Sequence, residues 1–422
     1  MIFHLLILIL PSALAAPITI IPDGAWTWFN DPRAVWHDGK LYVGYVRNAD
    51  GHTVLSHYDP ATKRTETVCS SSFTEKDDHN NPSLLILNDG RLMSFYARHS
   101  TDAHFVYRIA DGDEQFYKTG AKVTYSNPFQ LTVEGGRIYN FMRNQNFNPT
   151  FVFSDDLGTN WSTPKILIKT GAGRTRPYVK YASDGNRRID FLYTDGHPRD
   201  VTNSLYHAYY EGGALWKTDG TFLEPLTDAP LQHDSGERGS LLYKYDSDIP
   251  GGRAWCWEIV YQTNGHPICV FTVQRDHVTG TNWFNDRIHY YYARWTGTEW
   301  QKRLIAHAGR PLYAAERDYA GGICIDPQNP NVIFISSNAA NPFDVSSITN
   351  VPLRANDRYE LFRGVTQDGG LTFAWSPITT NSTLDNLRPY VPRGGSTLLW
   401  LRGTYKSYTS YDCAIVALAD AH

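Results

Sequence analysis

The 422-residue sequence has few cysteines, little charge imbalance and only one long apolar run, and each shortage excludes a class of protein. Five cysteines, none in a C-x-x-C pair, are too few for a disulfide scaffold and form no zinc-ribbon or thioredoxin-like motif. With 39 basic against 43 acidic residues, the net charge of −4 excludes a general binder of nucleic acids or membrane surfaces. After the amino terminus no stretch approaches about 18 apolar residues, so we expect no membrane-spanning helix.

The apolar run lies at the amino terminus and is typical of a secretory signal. Leu5–Leu10 is the apolar stretch, Pro11 interrupts it, and Ala13–Ala15 supplies the small residues of a cleavage site. We therefore predict a signal peptide over residues 1–16, a single mature domain over residues 17–422, and a secreted, extracellular protein. In a eukaryotic host, two sequons would make it a glycoprotein: Asn160-Trp161-Ser162 and Asn381-Ser382-Thr383.

Aromatic residues, glycine and proline are abundant. Hydrophobic residues make up 41% of the chain and aromatic residues 14%, enough for a large packed core, which excludes a disordered chain. The chain has 33 Gly, 23 Pro, 12 Trp and 27 Tyr but only 3 Met, a balance that favours many short strands and turns over a helical bundle.

A β-hairpin pattern recurs along the chain. Each copy has a polar entry, a β-rich run, a turn of Gly, Asp, Asn or Pro, a second β-rich run and a polar exit. The copies lie roughly 60 residues apart on average, close to the ~50 of kelch-type propeller repeats. There are seven of them: Arg33–Arg47, His79–His99, Tyr125–Arg143, Arg176–Asp195, Arg238–Tyr261, Asp318–Asn338 and Arg388–Arg402.

Second hairpins lie between these copies, for example Thr53–Val68 and Phe151–Ile168. Ser154–Trp161 within the latter matches the Asp box, S-x-D-x-G-x-x-W, and Thr366–Phe373 is a slightly degenerate second copy. Asp boxes are turn-forming devices that indicate a sialidase-type propeller and carry no information about catalysis.

Four strands in each of seven units predict an all-β, single-domain, seven-bladed β-propeller, an architecture that protects most strand edges by radial repetition. The last unit lacks one strand after Arg402. We expect Ile18–Ile21 or Ala25–Phe29 to supply it, so that the chain ends close the ring.

The hairpin geometry predicts which side chains share a face. A hairpin brings the start of its first strand and the end of its second to one edge, so His79, His99, Tyr125, Arg143 and Arg176 are expected together around the central pocket. Guanidinium groups there would suit an anionic ligand, and an imidazole could move protons near neutral pH. The structural alternative for each residue is a hydrogen-bonded histidine or an arginine stacked between blades.

Further residues extend these expectations. Tyr206 and His207 begin the next strand, so one of them is expected to face the pocket. Zinc-ligand types also occur, but their spacing matches no tight motif, so a metal site is not the favoured interpretation. They are His266, Cys269, His277 and His289.

Several segments together resemble the BNR-repeat propeller superfamily, over almost the whole mature chain from Asp23 to Val416. This group includes the ulvan lyases of families 24 and 25 and the fungal L-rhamnose-α-1,4-D-glucuronate lyases of family 42. The signal, the sequons and the histidines 20 residues apart look most like the fungal enzymes. The segments are Trp26–Ala34, Arg176–Tyr181, Thr194–Arg199, Tyr206–Tyr210, Tyr292–Trp295, Leu361–Gly364 and Asp385–Pro389.

The resemblance implies roles for individual residues. His99 would serve as base and acid with His79 beside it, while Arg143 would neutralise a uronate carboxylate with Tyr125 nearby. Arg199 looks like a further substrate contact, and Tyr206 is similar to tyrosines that some ulvan lyases place at the scissile bond. The expected substrate-binding set is therefore Arg199, Arg176, Tyr206 and His207.

The activity that the resemblance implies is β-elimination at a 4-linked uronate of a polysaccharide. The favoured substrate is the rhamnosyl-α-1,4-glucuronate end of arabinogalactan in gum arabic, with release of L-rhamnose. No cofactor is required, although a structural cation is compatible with the sequence, and we expect a monomer. The alternatives are an ulvan lyase, a sialidase-type glycoside hydrolase and a non-catalytic glycan-binding propeller; exo or endo action and the disulfide pairing stay open.

Overall fold

A computed structural model describes residues 16–171, 175–275, 285–349 and 351–419. Over these residues the structure is almost entirely β, with short 3-10 helices at Asp78–Asn80, Thr132–Glu134, Gln145–Phe147, Leu226–Asp228 and His233–Ser235. No helix in the described ranges is long and apolar enough to cross a membrane. The five cysteines all have free thiols.

The strands form seven antiparallel blades, and within each blade the chain runs from the innermost strand outwards. The last blade also takes in the first strand of the chain, β1 (Ile18–Ile21). Blade 1 contains β2 (Ala34–His37), β3 (Lys40–Val46), β4 (His52–Asp59) and β5 (Arg64–Thr74). Blade 2 contains β6 (Ser83–Ile86), β7 (Leu92–Tyr96), β8 (His104–Ile109) and β9 (Gln115–Lys118). Blade 3 contains β10 (Thr124–Gln130), β11 (Ile138–Arg143), β12 (Pro149–Ser154) and β13 (Lys165–Ile166).

Blade 4 is the largest of the seven and carries two additional strands. It contains β15 (Val179–Ser183), β16 (Arg188–Thr194), β17 (Leu205–Glu211), β18 (Ala214–Lys217), β19 (Phe222–Pro225) and β21 (Ser240–Tyr243), and β21 pairs with β17. Beside it, β14 (Ile168–Lys169) and β20 (Leu231–Gln232) form a short parallel pair.

The remaining blades return to four strands. Blade 5 contains β22 (Arg253–Tyr261), β23 (Pro267–Arg275), β24 (Arg287–Trp295) and β25 (Trp300–Gly309). Blade 6 contains β26 (Ile323–Ile325), β27 (Val332–Ser337), β28 (Glu360–Val365) and β29 (Ala374–Pro377). Blade 7 contains β30 (Asp385–Tyr390), β31 (Leu398–Ser407), β32 (Ser410–Leu418) and β1. The predicted single-domain, seven-bladed propeller is confirmed.

The ring closes through pairing of the two ends of the chain. β1 is the outermost strand of blade 7 and runs antiparallel to β32, with Ile18 opposite Ala417. Of the two candidates for the missing strand, Ile18–Ile21 is therefore the correct one, and Ala25–Phe29 has a different place.

One predicted hairpin is wrong. Arg238–Tyr261 does not fold on itself around Pro250-Gly251-Gly252, because β21 pairs with β17 of blade 4 while β22 pairs with β23 of blade 5. The turn links two blades, and the inner hairpin of blade 5 turns at residues 262–266 instead.

Both Asp boxes form the expected turn. Ser154 Oγ donates to Asp156 Oδ1 at 2.9 Å and accepts the Gly158 N–H at 2.8 Å, while Asp156 Oδ1 accepts the Asn160 N–H at 2.7 Å. Gly158 has φ of +90°, in the left-handed region that glycine adopts without steric cost. The second box repeats these contacts with Thr366, Asp368, Gly370 and Thr372.

The segment between β1 and β2 runs into the centre of the ring and packs there. Trp28 stacks on Trp257 with ring centroids 4.2 Å apart and meets the ring of Trp255 edge-on. Phe29 packs on Tyr178 with centroids 4.6 Å apart. Trp28 and Phe29 are each 1% exposed. This tightly packed segment therefore closes the central channel and forms the floor under one mouth of the ring.

Candidate active site

The predicted site residues are gathered where the inner strands of blades 2, 3 and 4 begin. His79 lies in the 3-10 helix just before β6, Tyr125 is the second residue of β10, and Arg176 precedes β15 by three residues. Arg143 ends β11 opposite Thr124, and His99 follows β7. Five side chains that are distant in sequence thus come to one mouth of the ring, as the hairpin geometry predicts.

A single carboxylate orients the two histidines. Asp77 Oδ1 accepts a hydrogen bond from His79 Nδ1–H at 2.8 Å, and Asp77 Oδ2 accepts one from His99 Nδ1–H at 2.9 Å. The imidazole rings stack with centroids 4.2 Å apart and an interplanar angle of 14°. Asp77 also caps the 3-10 helix by accepting the His79 backbone N–H at 2.9 Å, so the carboxylate is itself held in place.

The two histidines have opposite protonation tendencies. Burial opposes the charge on His79, but the Asp77 and Asp78 carboxylates outweigh it and raise the pKa of His79 to about 9. Burial, the charge on His79 and the charge on Arg143 lower the pKa of His99 to about 4, although Asp77 works in the other direction. At neutral pH His79 is therefore an imidazolium, and His99 is neutral with its proton on Nδ1 and a lone pair on Nε2.

Arg143 lies beside that lone pair in an aromatic cage. Its Nη2 is 3.2 Å from His99 Nε2, and its Cζ lies 4.9 Å from the ring centroid of Tyr125, 5.3 Å from Tyr178 and 5.8 Å from Phe147. Within the described ranges, Nε and Nη1 are buried without a hydrogen-bond partner and no carboxylate pairs with the guanidinium. A buried cation without a counter-ion is costly, so this position favours binding of an anion.

The other two arginines differ in how far their charge is compensated. Arg199 donates to Glu316 at 2.5 Å and to Asp200 at 3.2 Å. Arg176 is 38% exposed and comes no closer than 4.0 Å to the carboxylate of Asp200. Arg176 is thus the better placed of the two to assist Arg143 in binding an anion.

Tyr125 keeps its proton at physiological pH. Burial, the neighbouring Tyr178 and other groups raise the pKa of its phenol well above the ordinary value, although Arg143 opposes the change. Its hydroxyl has no hydrogen-bond partner among the described residues. Tyr125 can therefore donate a hydrogen bond, but it releases its proton less readily than an ordinary phenol.

The structure does not bring Tyr206 and His207 to this cluster. Both lie on β17, the third strand from the axis, where Tyr206 packs on His233 with centroids 4.6 Å apart. His207 is fully buried between Asp190 at 2.8 Å and Thr218 at 2.9 Å. A strand paired on both sides directs its side chains into the packing between blades, which accounts for this placement.

Several residues of the site carry no recognisable pattern of their own in the sequence. Tyr319 Oη lies 3.3 Å from His79 Nε2, and Tyr408, in the turn between β31 and β32, meets both imidazole rings edge-on at 4.9 and 5.5 Å. Asp77 had a signal, because an acidic pair directly precedes His79. Tyr408 had none, since it is more than 300 residues away from both histidines.

Within the described part of the chain, one group of metal-ligand types comes together, namely Asp77, His79 and His99. Its Nδ1 atoms are both engaged by the carboxylate, so the group is accounted for as a hydrogen-bonded triad. Of the zinc-ligand types noted in the sequence, the described ones form no cluster of three ligands, and His289 instead pairs with His307 at 2.7 Å between the Nδ1 atoms. His277 lies outside the described residues.

The mouth at the opposite end of the ring has different chemistry. A cavity of about 260 Å³ lies there, at the carboxyl ends of the inner strands, and its wall includes Asp31, Lys180 and Glu258 but no histidine. Because it offers no imidazole beside a free guanidinium, the cluster around His99 is the candidate active site.

Comparison with known proteins agrees with the fold. Residues 40–308 match the profile described as BNR repeat-containing family member. An ulvan lyase of polysaccharide lyase family PL25 has a similar structure, with a TM-score of 0.67 and 13% identity over 95% of both chains. An ulvan lyase of that family bound to -[GlcA(1-4)Rha3S]- gives 0.66 with the same identity and coverage.

A third structure, the polysaccharide lyase Uly1, gives a TM-score of 0.55 at 13% identity, covering 97% of this chain and all (100%) of its own. No curated protein matches the sequence. At this level of identity the similarity of structures is a similarity of fold.

Proposed function

We propose that this chain, which belongs to the BNR repeat-containing family, is a polysaccharide lyase that cleaves a 4-linked uronate glycan by β-elimination. The observation that carries the proposal is the pairing of a neutral, 21% exposed imidazole with a buried guanidinium that lacks a carboxylate partner in the described ranges. Elimination beside a carboxylate needs a base and a cation at adjacent positions, and His99 and Arg143 supply them at 3.2 Å.

The uronate carboxylate binds first. Its contact with Arg143, assisted by Arg176, withdraws electron density and allows negative charge to accumulate as C5 loses its proton. Because the charge on Arg143 is one cause of the low pKa of His99, the bound carboxylate offsets that charge and makes His99 a stronger base. Substrate binding and activation of the base are thereby coupled.

The elimination then uses one imidazole twice. His99 Nε2 takes the C5 proton, the electron pair forms the C4=C5 double bond, and the C4–O4 bond breaks. The resulting imidazolium gives its proton to the departing O4, which restores the neutral form. Throughout the reaction His99 Nδ1–H donates its hydrogen bond to Asp77. Because burial and the charge on His79 lower the pKa of His99, the His99 imidazolium gives up its Nε2 proton readily.

The finer substrate follows from the sequence resemblance to the fungal enzymes. We propose that the enzyme acts at rhamnosyl-α-1,4-glucuronate ends of arabinogalactan and releases L-rhamnose, leaving a 4,5-unsaturated glucuronate. It would do so as a secreted monomer without a required cofactor. The fold similarity to ulvan lyases supports a uronate polysaccharide as the substrate class.

Separate incubations with gum arabic and ulvan test this function. We expect ultraviolet absorbance of an unsaturated uronate and released rhamnose by mass with gum arabic, unchanged after dialysis against a chelator. His99→Ala should abolish the absorbance, whereas Tyr206→Phe, on the third strand from the axis of blade 4, should retain it. Sugar release without a double bond would indicate a hydrolase, and binding that survives in His99→Ala without any turnover in the wild type would indicate a glycan-binding module.

A further inference from the structure

Three bulky residues at the candidate site have left-handed backbone conformations. Tyr125 has φ of +69°, Phe147 of +63° and Arg176 of +56°. Such angles are rare for large side chains and persist where the surrounding structure enforces them, commonly at functional positions. Tyr125 and Arg176 already belong to the site, and Phe147 shares their strain.

Phe147 stands between the two arginines that are free to bind an anion. The ring centroid lies 5.8 Å from Arg143 Cζ and 5.6 Å from Arg176 Cζ. Tyr125 and Tyr178, the other aromatic walls around Arg143, are buried at 6% and 5% exposure, while Phe147 is partly exposed. The ring of Phe147 is therefore the solvent-facing wall of the cage.

The loop that carries Phe147 is tied down on both sides. The Phe147 backbone N–H donates to Asn144 O at 2.9 Å, and Asn144 Nδ2 donates to Ala121 O at 2.7 Å. On the other side the Asn148 N–H donates to Gln145 O at 3.0 Å. These contacts hold the ring against the guanidinium groups despite the unfavourable φ.

We propose that Phe147 determines specificity for a uronate ring. Its ring keeps the Arg143 and Arg176 guanidinium groups in fixed positions around one carboxylate, and its exposed part packs on the apolar face of the pyranose that bears that carboxylate. The inference rests on the proposed function, because it assigns a further contact to the same uronate subsite.

A comparison of Phe147→Gly with Phe147→Trp tests the role of the ring. Glycine adopts positive φ freely, so Phe147→Gly should unfold at the wild-type temperature within about 2 °C, or above it, because relief of strain offsets the lost contacts. The same variant should lose at least about tenfold in kcat/KM, mainly through KM, and in affinity for methyl β-D-glucuronoside measured by NMR titration. Phe147→Trp, which restores an aromatic face, should stay within about threefold of the wild type.

Asn146→Gly is the matched control, since Asn146 is exposed in the same loop and has φ of +51°. It relaxes the same backbone without removing the ring, so activity and affinity should not change. The proposal would be overturned if Phe147→Gly bound the glucuronoside with wild-type affinity. It would also be overturned if Asn146→Gly and Phe147→Gly lost activity and affinity equally. A wild-type protein that produces no unsaturated uronate but binds the glucuronoside through Phe147 would reject the lyase function and leave this contact standing.

Discussion

Replacing Asp77 with asparagine should separate the two histidines that this carboxylate orients. The asparagine side chain would keep an oxygen for the His79 backbone N–H, so the 3-10 helix retains its cap, but the negative charge is lost. In the wild type that charge is the main reason that the pKa of His79 lies at about 9 despite complete burial. Without it, only Asp78 still opposes the effect of burial, and the pKa of His79 should fall.

The size of the effect follows from the pKa of His79. A rise from the ordinary 6.5 to about 9 corresponds to about 3 kcal/mol of preference for the imidazolium, and His79 is only 2% exposed, so solvent screening is slight. In the Asp77→Asn variant at pH 7.5, a smaller fraction of His79 should therefore be protonated than in the wild type. Because the substitution also removes the Asp77 charge, the net charge of the site changes little, and activity should fall mainly because His99 Nδ1 loses its charged acceptor.

Two measurements check this reasoning. The imidazole resonances of His79 should titrate near pH 9 in the wild type and at a clearly lower pH in Asp77→Asn. The basic limb of kcat/KM against pH should move in the same direction. Asp89→Asn, in an exposed turn of the same blade, serves as the control and should leave both unchanged. A His79 titration that stays near pH 9 in Asp77→Asn would refute the assignment of the charge.

Two further predictions concern charge at the site. Arg143→Met should lower kcat/KM by about 10²- to 10³-fold without lowering the unfolding temperature, because it removes a buried, uncompensated cation; Arg199→Met, which loses a cation already compensated by Glu316, should cost about tenfold or less. A larger loss from Arg199→Met in steady-state kinetics would contradict this ranking. Since the folded protein holds the His79 proton more tightly than the unfolded chain, its stabilising contribution is complete below pH 6.5 and should be lost as pH rises through about 9. Denaturant unfolding of the wild type and Asp77→Asn between pH 6.5 and 9.5 measures it, and parallel curves would contradict it.

The sequence predicts the ring and the two Asp boxes because these depend on local patterns, and it narrows the closure strand to two amino-terminal segments, of which Ile18–Ile21 is the correct one. Turn residues and strand composition mark each hairpin, and radial repetition turns seven hairpins into one architecture. The proximity of His79 and His99 is also predictable, since they lie at equal distances on either side of one turn. The prediction of a hairpin over Arg238–Tyr261 was wrong, because a Pro-Gly-Gly turn inside a blade and one between two blades have the same sequence pattern.

The features of the site that the sequence does not predict depend on contacts between distant parts of the chain. The compensation of Arg199 depends on Glu316, and Tyr408 reaches the imidazole rings from the last blade. Neither contact has a local signature, because each joins segments that are close only after the ring has closed. For Tyr206 and His207, strand alternation is readable from the sequence, but the distance of their strand from the axis is not.

The segment between β1 and β2 makes formation of the active site depend on closure of the ring. β1 can pair only after β32 exists, and the residues that follow β1 place Trp28 and Phe29 under Tyr319, Tyr125 and Tyr178. A nascent chain that lacks its final hairpin therefore has neither a sealed rim nor a supported reaction centre. Catalytic competence should arise in a single late step, when the first and last strands meet.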